Sequence, residues 1–590
     1  MTHNLFHLDE STVLPFNETT MGLDKANRRN FLKTVAAAAV STLPVSASST
    51  SAIHSPHQGA TQGLDLLRTP DHVSARFGIK DVVKMQYSAQ AWKCAGIRIS
   101  AEPMDAGIHS EVPIRVTNEG KNLTFIHLRW DGRESEALLS IGDHWERSYG
   151  DLEWRGTIPE RVMPWYFLTF DGDQVNGYGV KTQPSAFCFW QRDSEGITLS
   201  IDLRNGGEAT ELGGRELHAC SVVTRIGSKG EPIWRAGQEF CRLMCPAPRL
   251  PSGPLFGLND WNYAYGKNTA AGILRDSDLI ASLAPAGKFP PHVVIDDGWQ
   301  DPNRFPSMPA LAAQIRDRQI LPGLWIRPLR AAGSTPESWL LPDNRFGNSA
   351  PHTNLAFDPT HPDALNEVVS AVRLPVQWGY EFLKHDFTTF ELFGRWGSEM
   401  SAGMTLPGWH FHDRSRTNAE IVRDLYQAIR AAAGERTTIL GCNTVGHLAA
   451  GIFESQRIAD DTSGHDWERT RRYGVNGLAH RIAQHRTFSH IDPDCVAVTS
   501  SVDWKLASQW MDLVARSGTS LFLSPDPTSM TPEIKSAIRD AMFLASQGGH
   551  GFPLHPTSGT TPAEWRFMPP NAADRKYHWC GPEGTSPFPV

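Results

Sequence analysis

Charge is scarce in this 590-residue chain. Asp, Glu, Lys and Arg make up 20% of it, and the 56 basic residues fall short of the 64 acidic ones, for a formal net charge of −8. A nucleic-acid binder draws its affinity from a basic surface that displaces phosphate counterions, so that class is excluded. Cysteine is equally sparse: eight in such a length are too few for a disulfide scaffold. Long apolar runs are missing as well. The best of them, within 35–45, is far shorter than the roughly 20 residues a bilayer span requires, so no membrane span is expected. Three catalytic signatures are absent: the G-x-x-x-x-G-K-[ST] phosphate loop, the G-x-S-x-G elbow and the H-E-x-x-H zinc helix. The 23 histidines are scattered, and the one close pair, His410-Phe411-His412, reads as a surface loop rather than a ligand set. Neither a metal nor a cofactor is expected.

What is present is loop-rich and aromatic. Fifty glycines and 41 prolines suit a globular protein with many turns, and 19 tryptophans exceed what a core of this size needs. Flat indole faces serve against flat ligands such as sugar rings.

The first 50 residues read as an address. Asn27-Arg28-Arg29-Asn30-Phe31-Leu32-Lys33 precedes a weakly apolar stretch and the small residues Ser46-Ala47-Ser48-Ser49, the layout of a bacterial twin-arginine export signal. Met21 is a second candidate start. The expectation is a folded protein exported to the periplasm or beyond, with disulfides inessential and Cys241 and Cys245 available to pair later. Residues 51–79, rich in Ser, Thr, His, Gly and Gln, read as a linker.

Two architectures follow in series. From 80 to 250, short strand-like runs alternate with turn signals such as Asn118-Glu119-Gly120 and Asp171-Gly172-Asp173, which predicts a β-sandwich. From 251 to 550, apolar runs at 255–261, 292–295, 321–326, 381–384, 438–442, 456–459, 496–499 and 520–523 alternate with amphipathic helices. Ile421, Val422, Leu425, Tyr426 and Ile429 form a helical stripe, opened by the capping pair Thr417 and Glu420. Eight strands alternating with helices predict an α/β fold, a (β/α)8 TIM barrel. The stretch 446–455 is too short for a full helix, and 551–590 reads as a short tail.

Barrel active sites lie at the carboxyl ends of the strands. Those ends carry Asn259-Asp260-Trp261, Asp296-Asp297-Gly298-Trp299, Trp325 with Arg327, Lys384-His385-Asp386, Cys442-Asn443, and Arg457 through Asp460-Asp461. Carboxylates at several ends of one mouth are the pattern for acid–base work. Lys384 and Asp386, two apart on a strand, share a face, and an ammonium there keeps a nucleophilic carboxylate charged. Asp460 and Asp461 repel each other, which raises the pKa of one and suits it to be a general acid.

Together, Val293-Val294-Ile295-Asp296-Asp297-Gly298-Trp299-Gln300, the Lys384-His385-Asp386 strand end and the Arg457…Asp461 spacing resemble the α-galactosidase clan of retaining glycoside hydrolases. They are most similar to glycoside hydrolase family 36 and its raffinose-synthase-like relatives. The stretch Gly142-Asp143-His144-Trp145-Glu146-Arg147-Ser148-Tyr149 is similar to that family's N-terminal β-domain, and the resemblance covers about 80 to 550. It implies Asp386 as nucleophile and Asp461 as acid/base, with Asp460 a second candidate. It further implies sugar contacts from Trp261, Asp296, Asp297, Trp325, Lys384, Cys442 and Arg457. The implied activity is a retaining, exo-acting α-galactosidase. A galactosyl transferase, a hydrolase of another α-linked sugar and an inactive sugar-binding barrel remain alternatives. Two departures stand out: Arg327 occupies a place where many relatives carry an acidic residue, and the C-terminal β-domain is reduced to a tail.

Overall fold

A computed structural model describes residues 63–585, except 103, 107, 108, 121, 134, 136, 350–353 and 583. The expected export signal lies outside the described residues, as does the linker up to 62.

Alternation with period two builds the N-terminal half. In Ile97–Ala101 the first, third and fifth residues are buried and the others face outward. Such strands assemble into a six-stranded and a nine-stranded antiparallel sheet, packed as the expected sandwich. Indoles fill much of its centre. Trp130, Trp165 and Trp190 are fully buried, and their N–H groups reach the carbonyls of Arg68, Trp145 and Trp165 at 3.0, 3.2 and 3.0 Å. A good part of the tryptophan excess is therefore core, not sugar-binding surface. The linker expectation is corrected at its end. His72–Phe77 is a strand paired with Leu123–Asp131, and Leu66 just before it is fully buried.

In the C-terminal half a parallel ladder runs through nine segments. In chain order they are β1 (Phe256–Asn259), β2 (His292–Ile295), β3 (Leu321–Ile326), β4 (Phe382–His385), β5 (Thr438–Gly441), β6 (Ser455–Arg457), β7 (His490–Asp492), β8 (Val496–Val498) and β9 (Leu521–Pro525). Their buried, near-continuous apolar runs are what a sheet covered on both faces requires. The spatial order β7-β6-β5-β4-β3-β2-β1-β9-β8 closes a TIM barrel whose seventh strand is split. The run expected at 496–499 is only the second half of that strand, and pairs with β9. The first half, β7, pairs with β6 and escaped notice because Pro493 follows it and Asp494 takes a left-handed φ of 76°. Proline cannot donate to a ladder, and the reversed backbone breaks the apolar run.

Helix signals hold where they were read. Thr417 and Glu420 form the reciprocal capping box of Asn418–Ala433, and Thr531 caps Pro532–Ser546. After β5 there is one turn only, Gly446–Ala449. The sandwich packs against that turn: the His447 ring stacks on Trp165 at 4.9 Å, and Gln183 donates to the carbonyls of His447 and Ala450. The tail is more than a tail, since His550–Pro553, Glu564–Met568 and Ala573–Lys576 form a three-stranded sheet around the buried Trp565. All eight cysteines are free; Cys241 and Cys245 are buried thiols one turn apart. Among the described residues, no helix is long and apolar enough to cross a membrane.

Candidate active site

Strand geometry delivers the candidate side chains to the mouth of the barrel. After β2 the chain turns sharply at Gly298, where φ is 105°; a Cβ there would meet the Gly266 carbonyl at 2.6 Å and Asn268 Oδ1 at 2.7 Å. This turn leaves Asp296 buried and Asp297 half-buried at the rim. Asp296 accepts from Lys384 Nζ at 2.6 Å and Asn259 Nδ2 at 2.8 Å on one oxygen, and from the Asp297 amide on the other. Asp297 accepts from Gly298 N and Gln300 through Oδ1, and Oδ2 has no hydrogen-bond donor among the described residues. Burial, then repulsion from Asp296, pushes its carboxyl up.

The pairing expected between Lys384 and Asp386 is not the one formed. Lys384 reaches Asp296 instead, because inward side chains of alternate barrel strands meet in one layer, and β2 and β4 are alternate strands. Asp386, one residue beyond β4, is fixed by two N–H donors: Trp325 Nε1 to Oδ2 at 3.1 Å and the Phe387 amide to Oδ1 at 2.8 Å. Phe387 itself holds a left-handed φ of 65°, a strained conformation for a phenylalanine next to a candidate nucleophile. Trp325 is in turn held through its carbonyl by the Trp299 indole at 2.9 Å. Cys442 lies at the end of β5, buried, its thiol pushed well up by burial.

Opposite stands a charged cluster that binds the two domains together. Arg457, on β6 and almost wholly buried, pairs with Asp492 at 3.1 Å, Asp494 at 2.6 Å and Asp461 at 3.1 Å. Arg147, from the sandwich, spans both adjacent carboxylates: 2.8 Å to Asp460 and 3.2 Å to Asp461. It is placed there because Ser148 lies alongside the strand end like an extra rung, its N–H on the Ile458 carbonyl and its carbonyl accepting from Asp460 N. Arg481 clamps the same segment, donating to Asp143, Ile458 O and Glu146 O.

The two carboxylates differ. Asp460 is 14% exposed, and both its oxygens are taken, by Arg147 and Arg469. Burial, the largest influence, pushes its carboxyl up. Asp461 is 38% exposed, and both of its arginine partners use Oδ1, leaving Oδ2 without a protein partner among the described residues. Burial alone would raise it too, but Arg147, Arg457, Arg469 and Lys384 together hold it far below the ordinary carboxylate range.

Trp261 follows β1, where its amide donates to Asn259 Oδ1, and Arg327 follows β3. Trp261 begins a one-turn helix at the rim and packs on Tyr265, which stacks on His465. Arg327 is spent internally: it pairs with the fully buried Glu391 at 2.6 Å and covers the Phe387 ring at 4.2 Å, and is 16% exposed. Burial, opposed by Arg327, pushes Glu391 up to about 7. An arginine so committed is poorly placed to take an acidic substrate.

Sequence reasoning assigned no role to Arg147, Glu391, Asp492 or Asp494. Arg147 lies 314 residues before Asp461, too far for any local pattern to connect them. Asp492 ends the unread half of the seventh strand, and Asp494 sits in the break that follows it. Among the described residues no cluster of His, Cys, Asp and Glu is arranged to hold a metal ion.

No family model matches the chain. Among solved structures it is similar to the α-galactosidase TtGalA of Thermus thermophilus in complex with p-nitrophenyl α-D-galactopyranoside, with TM-score 0.55 and 17% identity, over 81% of this chain and 99% of that one. It is also similar to a variant of the family 36 α-galactosidase AgaA of Geobacillus stearothermophilus in complex with 1-deoxygalactonojirimycin (TM-score 0.55, 14% identity, 85% and 77% covered). A third likeness is to the galactosidase domain of the α-galactosidase–sucrose kinase AgaSK (TM-score 0.54, 14% identity, 84% and 73% covered). At these identities the likeness establishes a shared fold.

Proposed function

We propose that the chain is a retaining, exo-acting α-galactosidase working by double displacement. The observation that carries this reading is the pair of carboxylates at the mouth: Asp386 oriented by Trp325 and the Phe387 amide, and Asp461 with one oxygen open. Its support from outside is the fold shared with α-galactosidases and the motifs they resemble. Asp297, half-buried with Oδ2 uncommitted, and its neighbour Asp296 grip hydroxyls of the terminal sugar, while Lys384 holds Asp296 in place.

Asp386 attacks the anomeric carbon as Asp461 protonates the bridging oxygen, and water activated by Asp461 then releases the sugar. Arg147 and Arg457 favour Asp461 as the carboxylate, the form required for the second step. For the first step it must take up a proton, and a bound sugar that displaces water favours the neutral form. Export by the twin-arginine route is part of the same proposal, and N-terminal sequencing of secreted protein tests it.

The decisive assay follows an aryl α-D-galactoside in the parent and in Asp386→Ala. The expected outcome is turnover by the parent, a loss of at least about 10³-fold in the variant, and α-galactose as the first product by NMR. A β-galactose first product would overturn the retaining mechanism; no turnover by the parent would overturn the choice of sugar.

A further inference from the structure

We propose that the stacked pair Trp396–Phe390 is the platform for the leaving-group sugar, a pyranose presenting an apolar C–H face. This deepens the α-galactosidase reading and rests on it. The acid/base must touch the bridging oxygen, so the departing sugar lies against whatever walls Asp461. Arg147 forms that wall, and the Trp396 ring lies 5.5 Å from its guanidinium. Trp396 also meets Phe387, the residue after Asp386, edge to face at 5.5 Å. Trp325, the hydrogen-bond donor to Asp386, stands edge-on to Phe387 at 6.2 Å. Trp396 thus adjoins the surroundings of both carboxylates, where a group leaving between them would rest.

The Trp396 and Phe390 rings are partly open to solvent. They stack at 4.3 Å with 16° between planes, and Phe346 extends the apolar ledge at 5.4 Å from Phe390. An aromatic ledge beside a charged mouth matches the two-faced chemistry of a pyranose, C–H groups against the rings and hydroxyls toward the charges. The ledge is held rigid from the sandwich. The Gly397 amide donates to Glu146 Oε1 at 2.8 Å, and a Cβ on Gly397 would meet Glu146 Cγ at 2.6 Å. A rigid platform spares the substrate the entropy of ordering it.

The test compares kcat/KM for a galactosyl disaccharide with that for α-galactosyl fluoride, whose leaving group is too small to reach the ledge. In Trp396→Ala the ratio of disaccharide to fluoride is expected to fall about tenfold, mostly through KM for the disaccharide. Trp396→Phe, which keeps a ring, is expected to recover most of it. An unchanged ratio overturns the proposal, as does an equal fall on both substrates accompanied by a lowered melting temperature, the mark of a merely structural tryptophan. A parent that turns over neither substrate overturns the α-galactosidase reading itself, and does so before any variant is made.

Discussion

Arg147 is the residue on which the electrostatics of the mouth turn. It bridges two carboxylates that are neighbours in sequence, and it is nearly buried, so its attraction is poorly screened. An adjacent cation favours the charged carboxylate; removing it leaves Asp460 and Asp461 to repel each other and raises the pKa of the pair. Since the general acid works in its protonated form, the alkaline limb of the kcat/KM profile reports its pKa in the free enzyme. Arg147→Ala should therefore move that limb upward by about one unit or more, read from kcat/KM on an aryl α-galactoside across pH. An unmoved limb, or one moved downward, would show that Arg147 does not set the charge of the acid/base.

At the scale of one element, the turn after β2 shows how backbone conformation positions chemistry. Gly298 has a φ open in practice only to glycine, and its Cα faces Gly266 O and Asn268 Oδ1. The same Asn268 donates to Asp260 and to the carbonyls of Asp296 and Asp297, so the turn and the two residues form one hydrogen-bonded unit. Gly298→Ala is expected to cost roughly 2 kcal/mol or more through backbone strain and the displaced Asn268. Binding should suffer as well, because Asp297 is carried on the displaced backbone. Urea unfolding and KM measure the two effects; a variant equal to the parent in both would contradict this account of the turn.

For the whole molecule, buried histidines weaken the fold in acid. His292, His385, His447 and His480 are all pushed down by burial to about 4, and His490 to about 3. Each is depressed below its unfolded value near 6.5, so the unfolded chain binds protons that the native one refuses. Stability is then full above about pH 6.5 and falls as the pH is lowered toward 4, each histidine contributing up to roughly 2 kcal/mol between pH 6.5 and 5. Asp260 and Glu391, both pushed up to about 7 chiefly by burial, gain stability over the same range and offset part of this loss, but the histidines outnumber them. The midpoint of chemical unfolding should therefore move to lower denaturant between pH 7 and pH 5. A midpoint that stayed level or rose over that range would contradict it. These histidines are spread through the barrel and its edge with the sandwich: His447 is held between Trp165 and Phe488, so its protonation strikes the contact between the two domains.

Much of this was legible along the chain because it depends on local periodicity. Short strand-like runs between turn signals marked the sandwich, and the apolar runs between amphipathic helices marked the barrel. The strand ends then brought Asp296, Asp297, Trp325, Asp386 and the pair Asp460-Asp461 into view as candidates. Where a strand was interrupted by Pro493 and the reversed Asp494, the pattern broke and half of the seventh strand went unread, with Asp492 and Asp494. Partnership was less legible still. Residue spacing placed Lys384 beside Asp386 on one face, yet barrel closure gave Lys384 to Asp296. Nothing local linked Arg147 to the pair at 460–461, or Glu146 to the loop that carries Trp396. Secondary structure and the location of the mouth follow from neighbours in sequence, whose geometry is set by the backbone. Which charges meet, which carboxylate keeps an open oxygen and which aromatic rings stack are decided only when distant segments pack, because electrostatic and stacking contacts depend on distance in space and not on distance along the chain.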